Sequence, residues 1–444
     1  MARERDLTTG SITAGLWAFA LPLMLGNVMQ QFYNLVDTWV VGRYIGDNAL
    51  AAVGSSYTLM TFLTSVIIGM CLGSGAYLPM AYGRRDMDAI RGGLFQSFTL
   101  IGVLTLLIMG IFYLALDPVI RLLQVPDETF GDMRIYLFYV FFGFFATFLY
   151  NYFSNVLRSM GNSVIPLVFL GVSVILNVFL DLYFVLGLHM GIKGAAVATV
   201  IAQTVSGIGI FLYFWMAYPD LRICREDMTW DRERLYNILS LSGFTCLQQS
   251  VMNFGILMVQ GIVNSFGATV MAAFAVAVKI DTIAYMPVQD FGNAFSVFVA
   301  QNFGAEKRDR IRHGIRSAAF SVLAFCIAIS TAVFTLAEPL MKIFVTESSA
   351  EVVAVGVQYL RIEGAFYLGI GILFMLYGYY RAVNKPLMSV VLTVVSLGTR
   401  VLLAFLLSGV DSIGVVGIWA AIPIGWFLAD VVGIWYYSEK EKLH

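Results

Sequence analysis

Long apolar segments separated by short polar stretches run along the whole chain. Each segment is close to the roughly 20 residues that a helix needs to cross the hydrocarbon core of a bilayer. The apolar runs are continuous and lack the alternation of lipid-facing and lumen-facing residues found in barrel strands, which favours helices. We therefore predict an all-α integral membrane protein with twelve transmembrane helices, at residues 14–41, 50–80, 93–116, 134–157, 163–186, 192–217, 239–265, 271–301, 315–337, 352–380, 386–408 and 413–437.

The second half of this pattern repeats the first. With the two halves aligned, Gly46 matches Gly267 and Tyr136 matches Tyr359, each within a similar local sequence. Six crossings per half return the chain to its starting side, so the two halves should share one orientation and be related by a pseudo-two-fold axis along the membrane normal. This predicts two six-helix bundles, with an N-lobe at 1–217, a cytoplasmic linker at 218–238 and a C-lobe at 239–444.

Composition agrees with a membrane protein and narrows the class of partner. Hydrophobic residues make up 59% of the chain and charged residues 12%, with a mean hydropathy of +0.82, whereas about a quarter of the residues in a soluble domain are charged. The net charge of -1 gives no indication of nucleic-acid binding. We expect a monomer surrounded by the lipid bilayer, with no nucleic-acid partner.

Lys and Arg residues are concentrated in one set of loops, for example at Arg84-Arg85 and Lys307-Arg308. Basic loops remain on the cytoplasmic side of a membrane. We therefore predict a multi-pass protein of the cell (inner, cytoplasmic) membrane with both termini in the cytoplasm.

Polar residues lie within the first predicted helix, where lipid contact would be costly. Asn27, Gln30, Asn34 and Asp37 recur every three or four residues, so they share one face that ends in a carboxylate. A face of this kind is expected to point into the bundle or towards a cavity.

The fifth and sixth predicted helices carry matching polar faces, with Asn177 and Asp181 on one and Thr199 and Gln203 on the other. Asp37, Asp181 and Thr199 each lie about 7 to 10 Å from the outer end of their helix. Three helices of one lobe therefore present oxygen ligands at one level. Two nearby carboxylates cannot both stay ionised cheaply, so one should hold a proton or the pair should share a cation. The alternative is that these polar groups only cross-link helices.

The second lobe carries a polar stripe of another kind. Gln249, Asn253, Gln260 and Asn264 share one face of the seventh helix, but none of them can ionise. This face can line a cavity and cannot carry a proton.

Two charged residues of the second lobe, Asp290 and Arg400, should lie at similar depths in the membrane. A compensating ion pair between them, with a structural role, is the expectation if their helices touch.

Aromatic, amide and methionine side chains along these helices predict a cavity for flat apolar cations, because aromatic faces attract positive charge and methionine adapts its shape. The candidate lining residues, several of which also belong to the polar faces, are Gln30, Tyr33, Asn34, Phe153, Gln203, Gln249, Asn253 and Met286.

Taken together, these features resemble the MATE (multidrug and toxic compound extrusion) transporters over essentially the whole chain. The resemblance rests on Val36-Asp37-Thr38, Val41-Gly42, the stretch Gly46 to Ala52, Arg158 to Gly161 with Pro166, and Asn177 followed by Asp181. It implies two six-helix bundles forming a V, alternating access, and export of organic cations or other amphiphiles in antiport with protons or sodium ions. It also implies an N-lobe ion-coupling site formed by Asp37, Asn177, Asp181 and Thr199.

The sequence departs from one branch of that family. Members with a cation site in the second lobe carry a Glu in the seventh helix and an Asp in the tenth, whereas the nearest positions here are Asn253 and Ile370. This favours coupling through the N-lobe, and it favours a proton over a sodium ion, because Asp37 and Asp181 can titrate without a full cation cage. No cofactor other than the coupling H+ or Na+ is expected.

Other functional classes remain open from the residues alone. A flippase for a lipid-linked oligosaccharide or other amphiphile and a major-facilitator-type carrier are also built from helical bundles. An enzyme is not expected, because the histidines, His189, His313 and His444, are placed in loops or at the terminus and form no acid-base or metal cluster.

Overall fold

The computed structural model describes residues 6–122, 127–344, 350–410 and 412–441, so the terminal residues 1–5 and 442–444, including His444, lie outside it. The described residues form fourteen α-helices joined by short turns. They are α1 (Ile12–Tyr44), α2 (Asp47–Arg84), α3 (Met87–Leu122), α4 (Asp127–Val140), α5 (Phe144–Ser159), α6 (Val164–Asp181), α7 (Gly191–Ala217), α8 (Arg232–Asn264), α9 (Ala268–Gly304), α10 (Arg308–Phe344), α11 (Ala350–Gly364), α12 (Tyr367–Ala382), α13 (Pro386–Ser408) and α14 (Val415–Tyr436).

These helices provide the membrane spans that the hydropathy pattern predicts. Eleven helical stretches of the described chain are long and apolar enough to cross a bilayer, with α4 and α5 joined through a 3-10 turn at Phe141–Gly143. The bent pair α11 and α12 makes a twelfth span if it is counted as one, with an angle of 52° between its two parts. The prediction of an all-α membrane protein is confirmed, but the bend in the tenth span was not foreseen.

Side-chain caps mark the start of two helices, α3 and α8. Asp86 accepts a hydrogen bond from the backbone nitrogen of Ala89 at the start of α3 (2.9 Å), and Asp231 does the same for Arg234 at the start of α8 (2.7 Å). Capping satisfies a donor that the first turn of a helix leaves free. One expectation was wrong here: His313, placed in a loop from the sequence, lies in the exposed first turns of α10.

The two halves share backbone conformations at positions that the sequence repeat makes equivalent. Gly46 and its counterpart Gly267 precede α2 and α9 with φ values of 121° and 94°. The same alignment pairs Arg85 with Glu306, and both have φ of 58° at the ends of the same helices. A non-glycine residue with positive φ is uncommon, so this agreement reflects matching turns in the two halves.

The helices form two compact units, and their limits differ from the predicted lobes. Among the described residues, the first unit comprises Asp6 and those from Leu21 to Cys246, and the second comprises Leu7–Ala20 and those from Leu247 onward. The main boundary therefore falls within α8 rather than in the predicted linker 218–238.

The segment before α1 belongs to the second unit because its backbone carbonyls are bound there. Lys307 Nζ donates to Thr8 O (2.8 Å), Arg310 Nη2 donates to Thr9 O (2.6 Å), and Asn302 Nδ2 donates to Leu7 O (3.1 Å). These carbonyl oxygens lie before the first turn of α1, so the side chains of the second unit provide their hydrogen-bond donors.

Aromatic side chains form much of the core of the first unit. Phe153 is 5% exposed, and its ring contacts those of Phe98, Tyr152, Phe211 and Phe214. Neighbouring rings therefore cover Phe153 in this structure, and its role in lining a cavity stays a prediction.

Close packing of α13 against α14 in the second unit gives a testable stability effect. A Cβ at Gly425 would overlap the carbonyl oxygen of Ser396, a backbone atom that cannot rotate away. Gly425→Ala should therefore lower stability by about 1–3 kcal/mol, as overpacked cores do. The measurement is thermal unfolding of the detergent-purified protein followed by tryptophan fluorescence. Gly398→Ala on α13 is the control, because its Cβ would meet nothing within 4 Å; equal melting of the two variants would contradict the packing argument.

Candidate functional site

The four residues predicted for ion coupling come together inside the first unit. Asp37 is carried by α1, Asn177 and Asp181 by α6, and Thr199 by α7. All four are buried, with Asp37 8% exposed and Asp181 fully covered. The four-residue spacing on α6 places Asn177 and Asp181 on the same face, as expected for a helix.

The centre of this site is a pair of carboxyl groups. The side chains of Asp37 and Asp181 are within hydrogen-bonding reach of each other. Two carboxyl groups can share a hydrogen bond only if one of them carries a proton. Asp37 Oδ1 and Asp181 Oδ1 are buried and have no hydrogen-bond partner in the part of the chain that the structure describes. The pair can therefore accept a further proton, a water molecule or a cation.

The amide of Asn177 connects this pair to the neighbouring helix. The amide can be oriented so that its nitrogen and its oxygen each form a hydrogen bond. In that orientation the nitrogen donates to Asp181 Oδ2 at 2.8 Å, and the oxygen accepts from the backbone nitrogen of Thr199 at 3.3 Å. With Asp181 ionised, Asn177 in this orientation presents an N–H donor to the carboxyl pair.

Two tyrosines complete the cluster. The hydroxyl of Tyr33 is 3.5 Å from Thr199 Oγ1, which itself donates to Ala195 O at 3.1 Å. Tyr136 on α4 is buried and lies in electrostatic range of Asp37, Asp181 and Tyr33. Tyr33, predicted for the cavity, therefore also contacts the ion-coupling residues.

Tyr136 was not assigned a role from the sequence, although one signal was available. Its repeat partner Tyr359 lies in the second unit beside Glu363 and Asp281. The sequence repeat thus places a tyrosine next to buried carboxyl groups in both units. This makes Tyr136 a stronger candidate for the site than its local sequence indicates.

The remaining predicted cavity residues are half-buried within their own units. Gln30 and Asn34 lie on α1, and the side chain of Gln203 on α7 covers Gly143. In the second unit the half-buried side chains are Gln249, Asn253 and Met286. A substrate cavity formed by these residues stays a prediction.

The second unit contains a buried charged cluster that the sequence did not reveal. Asp281 on α9 and Glu363 on α11 are 3% and 2% exposed, and Arg400 on α13 interacts electrostatically with both. Tyr367 lies next to Asp281, and Tyr359 lies next to Glu363. Arg400 is half-buried, and its positive charge offsets part of the cost of removing the two carboxyl groups from water.

Arg400 was predicted to pair with Asp290, and that pair stays a prediction. The carboxylates whose interaction with Arg400 the structure describes are Asp281 and Glu363. Asp281 and Asp290 are separated on α9 by about two and a half turns, which places them on opposite faces of the helix. The depth of a residue in the membrane does not indicate which face of α9 meets α13.

Within the described ranges, no three His, Cys, Asp or Glu side chains converge on a point where a metal ion could be held. The buried carboxyl groups are Asp37 and Asp181 in the first unit and Asp281, Asp290, Glu363 and Asp430 in the second. Buried carboxyl groups that lie close together are suited to binding a proton, or a monovalent cation if further oxygen ligands are supplied.

Comparison with known proteins places this architecture among transporters. The sequence model of the MatE family matches residues 22–183 and 244–406, one segment in each half of the chain. The chain is 30% identical over 396 residues to the probable multidrug resistance protein YpnP of Bacillus subtilis, covering 88% of this chain and 87% of that protein. It is 27% identical over 439 residues to the probable multidrug resistance protein YoeA of the same species, covering 96% and 94% of the two chains.

The fold is also similar to a solved structure of a MOP superfamily transporter from Pyrococcus furiosus. The TM-score is 0.91 at 21% sequence identity, covering 98% of this chain and 97% of the other. At this level of identity, the similarity is evidence for the fold alone.

Proposed function

The chain belongs to the MatE family of multidrug efflux transporters, and we propose that it exports amphiphilic organic cations across the cytoplasmic membrane in exchange for protons. The observation that carries this proposal is the buried contact between Asp37 and Asp181. Membership of this family also shows that the alternative of a major-facilitator-type carrier is wrong.

A proton suits the first-unit site better than a sodium ion does. A sodium ion needs several oxygen ligands, and Asn177 presents its nitrogen to Asp181 while its oxygen is bound to the backbone of Thr199. The hydroxyl of Thr199 donates within its own helix. The oxygen atoms left without partners belong to Asp37 and Asp181 themselves, and two carboxyl groups in contact are stabilised by one shared proton.

The same contact suggests how the proton is coupled to movement. With the proton bound, the hydrogen bond between Asp37 and Asp181 joins α1 to α6. When the proton is lost, two negative charges face each other in a medium of low dielectric constant, and their repulsion weakens this contact. The ionised pair also attracts a cationic substrate. Protonation and substrate binding therefore oppose each other, as proton antiport requires.

The energetic coupling can be tested in proteoliposomes loaded with a fluorescent organic cation such as ethidium. A pH gradient imposed without a sodium gradient should drive ethidium transport, because the proton is the coupling ion. A sodium gradient imposed at equal pH should leave the flux at the level of protein-free vesicles. Transport driven by sodium alone would reject proton coupling, and the absence of transport under both gradients would reject ethidium-type cations as substrates.

A further inference from the structure

An apolar groove runs between α8 and α13 in the second unit, and we propose that it binds an acyl chain of a membrane phospholipid. The groove has a volume of about 1200 Å³. Its walls include Phe254, Met258 and Ile262 from α8 and Val401, Leu402 and Phe405 from α13.

The groove includes the counterpart of one of the two coupling carboxylates. The predicted repeat makes α8 and α13 the counterparts of α1 and α6, with Met258 in place of Asp37 and Ala404 in place of Asp181. Met258 lines the groove, whereas Ala404 is fully buried and does not line it. The residues that line the groove have no ionisable side chain with which to hold a cation.

Water is a poor occupant of this groove. The serine hydroxyls that line it donate within their own helices, Ser265 Oγ to Ile262 O at 2.7 Å and Ser408 Oγ to Phe405 O at 3.3 Å. A buried water molecule typically needs about two to four polar partners. An empty groove would also leave its lining side chains without dispersion contacts. The occupant should therefore be a hydrocarbon.

The surroundings of the groove supply that hydrocarbon. Both walls belong to helices, Arg232–Asn264 and Pro386–Ser408, that are long and apolar enough to span a membrane. An acyl chain is therefore present at high concentration wherever the groove opens to the bilayer.

The dimensions of the groove favour a long chain over a compact ligand. From Val251 to Ser265 the lining of α8 extends about 21 Å, compared with about 15 Å for one leaflet of the hydrocarbon core. The volume of about 1200 Å³ exceeds the range of about 300–1,000 Å³ usual for pockets that hold drug-sized molecules. Gly261 and Gly398 widen the groove, since a Cβ at either position would meet nothing within 4 Å.

Photolabelling in nanodiscs tests this proposal. The probe is a phosphatidylcholine with a diazirine in one acyl chain, and the labelled peptides are identified by mass spectrometry. Gly398→Phe and Gly261→Phe fill the groove without removing a protein contact. Gly243→Phe is the matched control, because this glycine is also on α8, has nothing within 4 Å of its Cβ and does not line the groove.

We expect Met258 and Phe405 to be labelled more strongly than the exposed α3 residues Leu106 and Ile111. Filling the groove should reduce that labelling to the α3 level, whereas Gly243→Phe should leave it unchanged.

Equal labelling of the groove and α3 would mean that lipid only surrounds the protein, and insensitivity to both filling variants would mean that the label lies elsewhere. Displacement of the label by saturating ethidium would assign the groove to a transported cation. Each of these three results would overturn the proposal. The assay needs no ion gradient, so its outcome is independent of the proposed proton coupling.

Discussion

Asp37→Asn should reduce ethidium transport driven by a pH gradient to the level of protein-free vesicles, while the protein still inserts and folds. Asparagine has nearly the shape of aspartate and can still hydrogen-bond to Asp181, but it has no proton to exchange. Because Asp37 is buried against Asp181, no water-exposed group can replace it at this position. The measurement is ethidium flux in proteoliposomes, supported by thermal unfolding of the purified variant.

A second measurement separates loss of coupling from loss of binding. The wild-type protein should release protons when ethidium binds in weakly buffered detergent solution, and Asp37→Asn should bind ethidium with less proton release or none. Asp88→Asn is the control, since this carboxylate is 85% exposed and pairs with Arg91 at the surface. Flux in Asp37→Asn equal to that of the wild type would reject the carboxyl pair as the coupling site.

Arg400→Leu should destabilise the second unit by about 1–3 kcal/mol, because two buried carboxyl groups would lose the positive charge that interacts with them. Asp281 and Glu363 are both almost fully buried, and Arg400 is the cation that interacts with both of them. Without it, two carboxylates would face each other across a region of low dielectric constant. Thermal unfolding in detergent measures the effect.

A second substitution separates the effect of the arginine's charge from the effect of its packing. Arg400→Leu combined with Glu363→Gln removes one of the two acidic charges and should recover part of the lost stability. Arg361→Leu is the control, because this arginine on the neighbouring α11 is exposed and lies over the ring of Phe334 at 5.6 Å, a contact worth about 0.5–1 kcal/mol. If the double variant is no more stable than Arg400→Leu, the arginine acts through packing and not through its charge.

The first-unit site could be predicted from the sequence because its residues obey helical spacing. Asn177 and Asp181 are four residues apart, so any helix through them places both on one face. Asp37 ends a polar stripe on another apolar helix, where a carboxylate is costly unless it has a partner. These local rules placed the polar side chains on shared helix faces, and the resemblance to the MATE transporters implied that the four residues form one ion site. They did not determine that the amide nitrogen of Asn177 faces Asp181, which depends on the position of the Thr199 backbone.

Contacts between helices could not be predicted in this way. Phe153 looks like a cavity residue in a sequence rich in aromatic side chains, but four rings from other positions cover it in this structure. Arg400 was paired with Asp290 by depth, and the structure describes interactions of Arg400 with Asp281 and Glu363 that depth did not indicate. Both cases depend on which faces of different helices meet, and the spacing within a single helix does not contain that information.

By itself, the sequence determined the membrane spans and the polar faces, because each follows from hydropathy and helical periodicity along one segment. The tertiary structure alone decided the unit boundary within α8, the partners of Arg400 and the groove between α8 and α13. These features arise from contacts between segments far apart in the chain, where the packing of side chains selects one arrangement among many that the same helices allow.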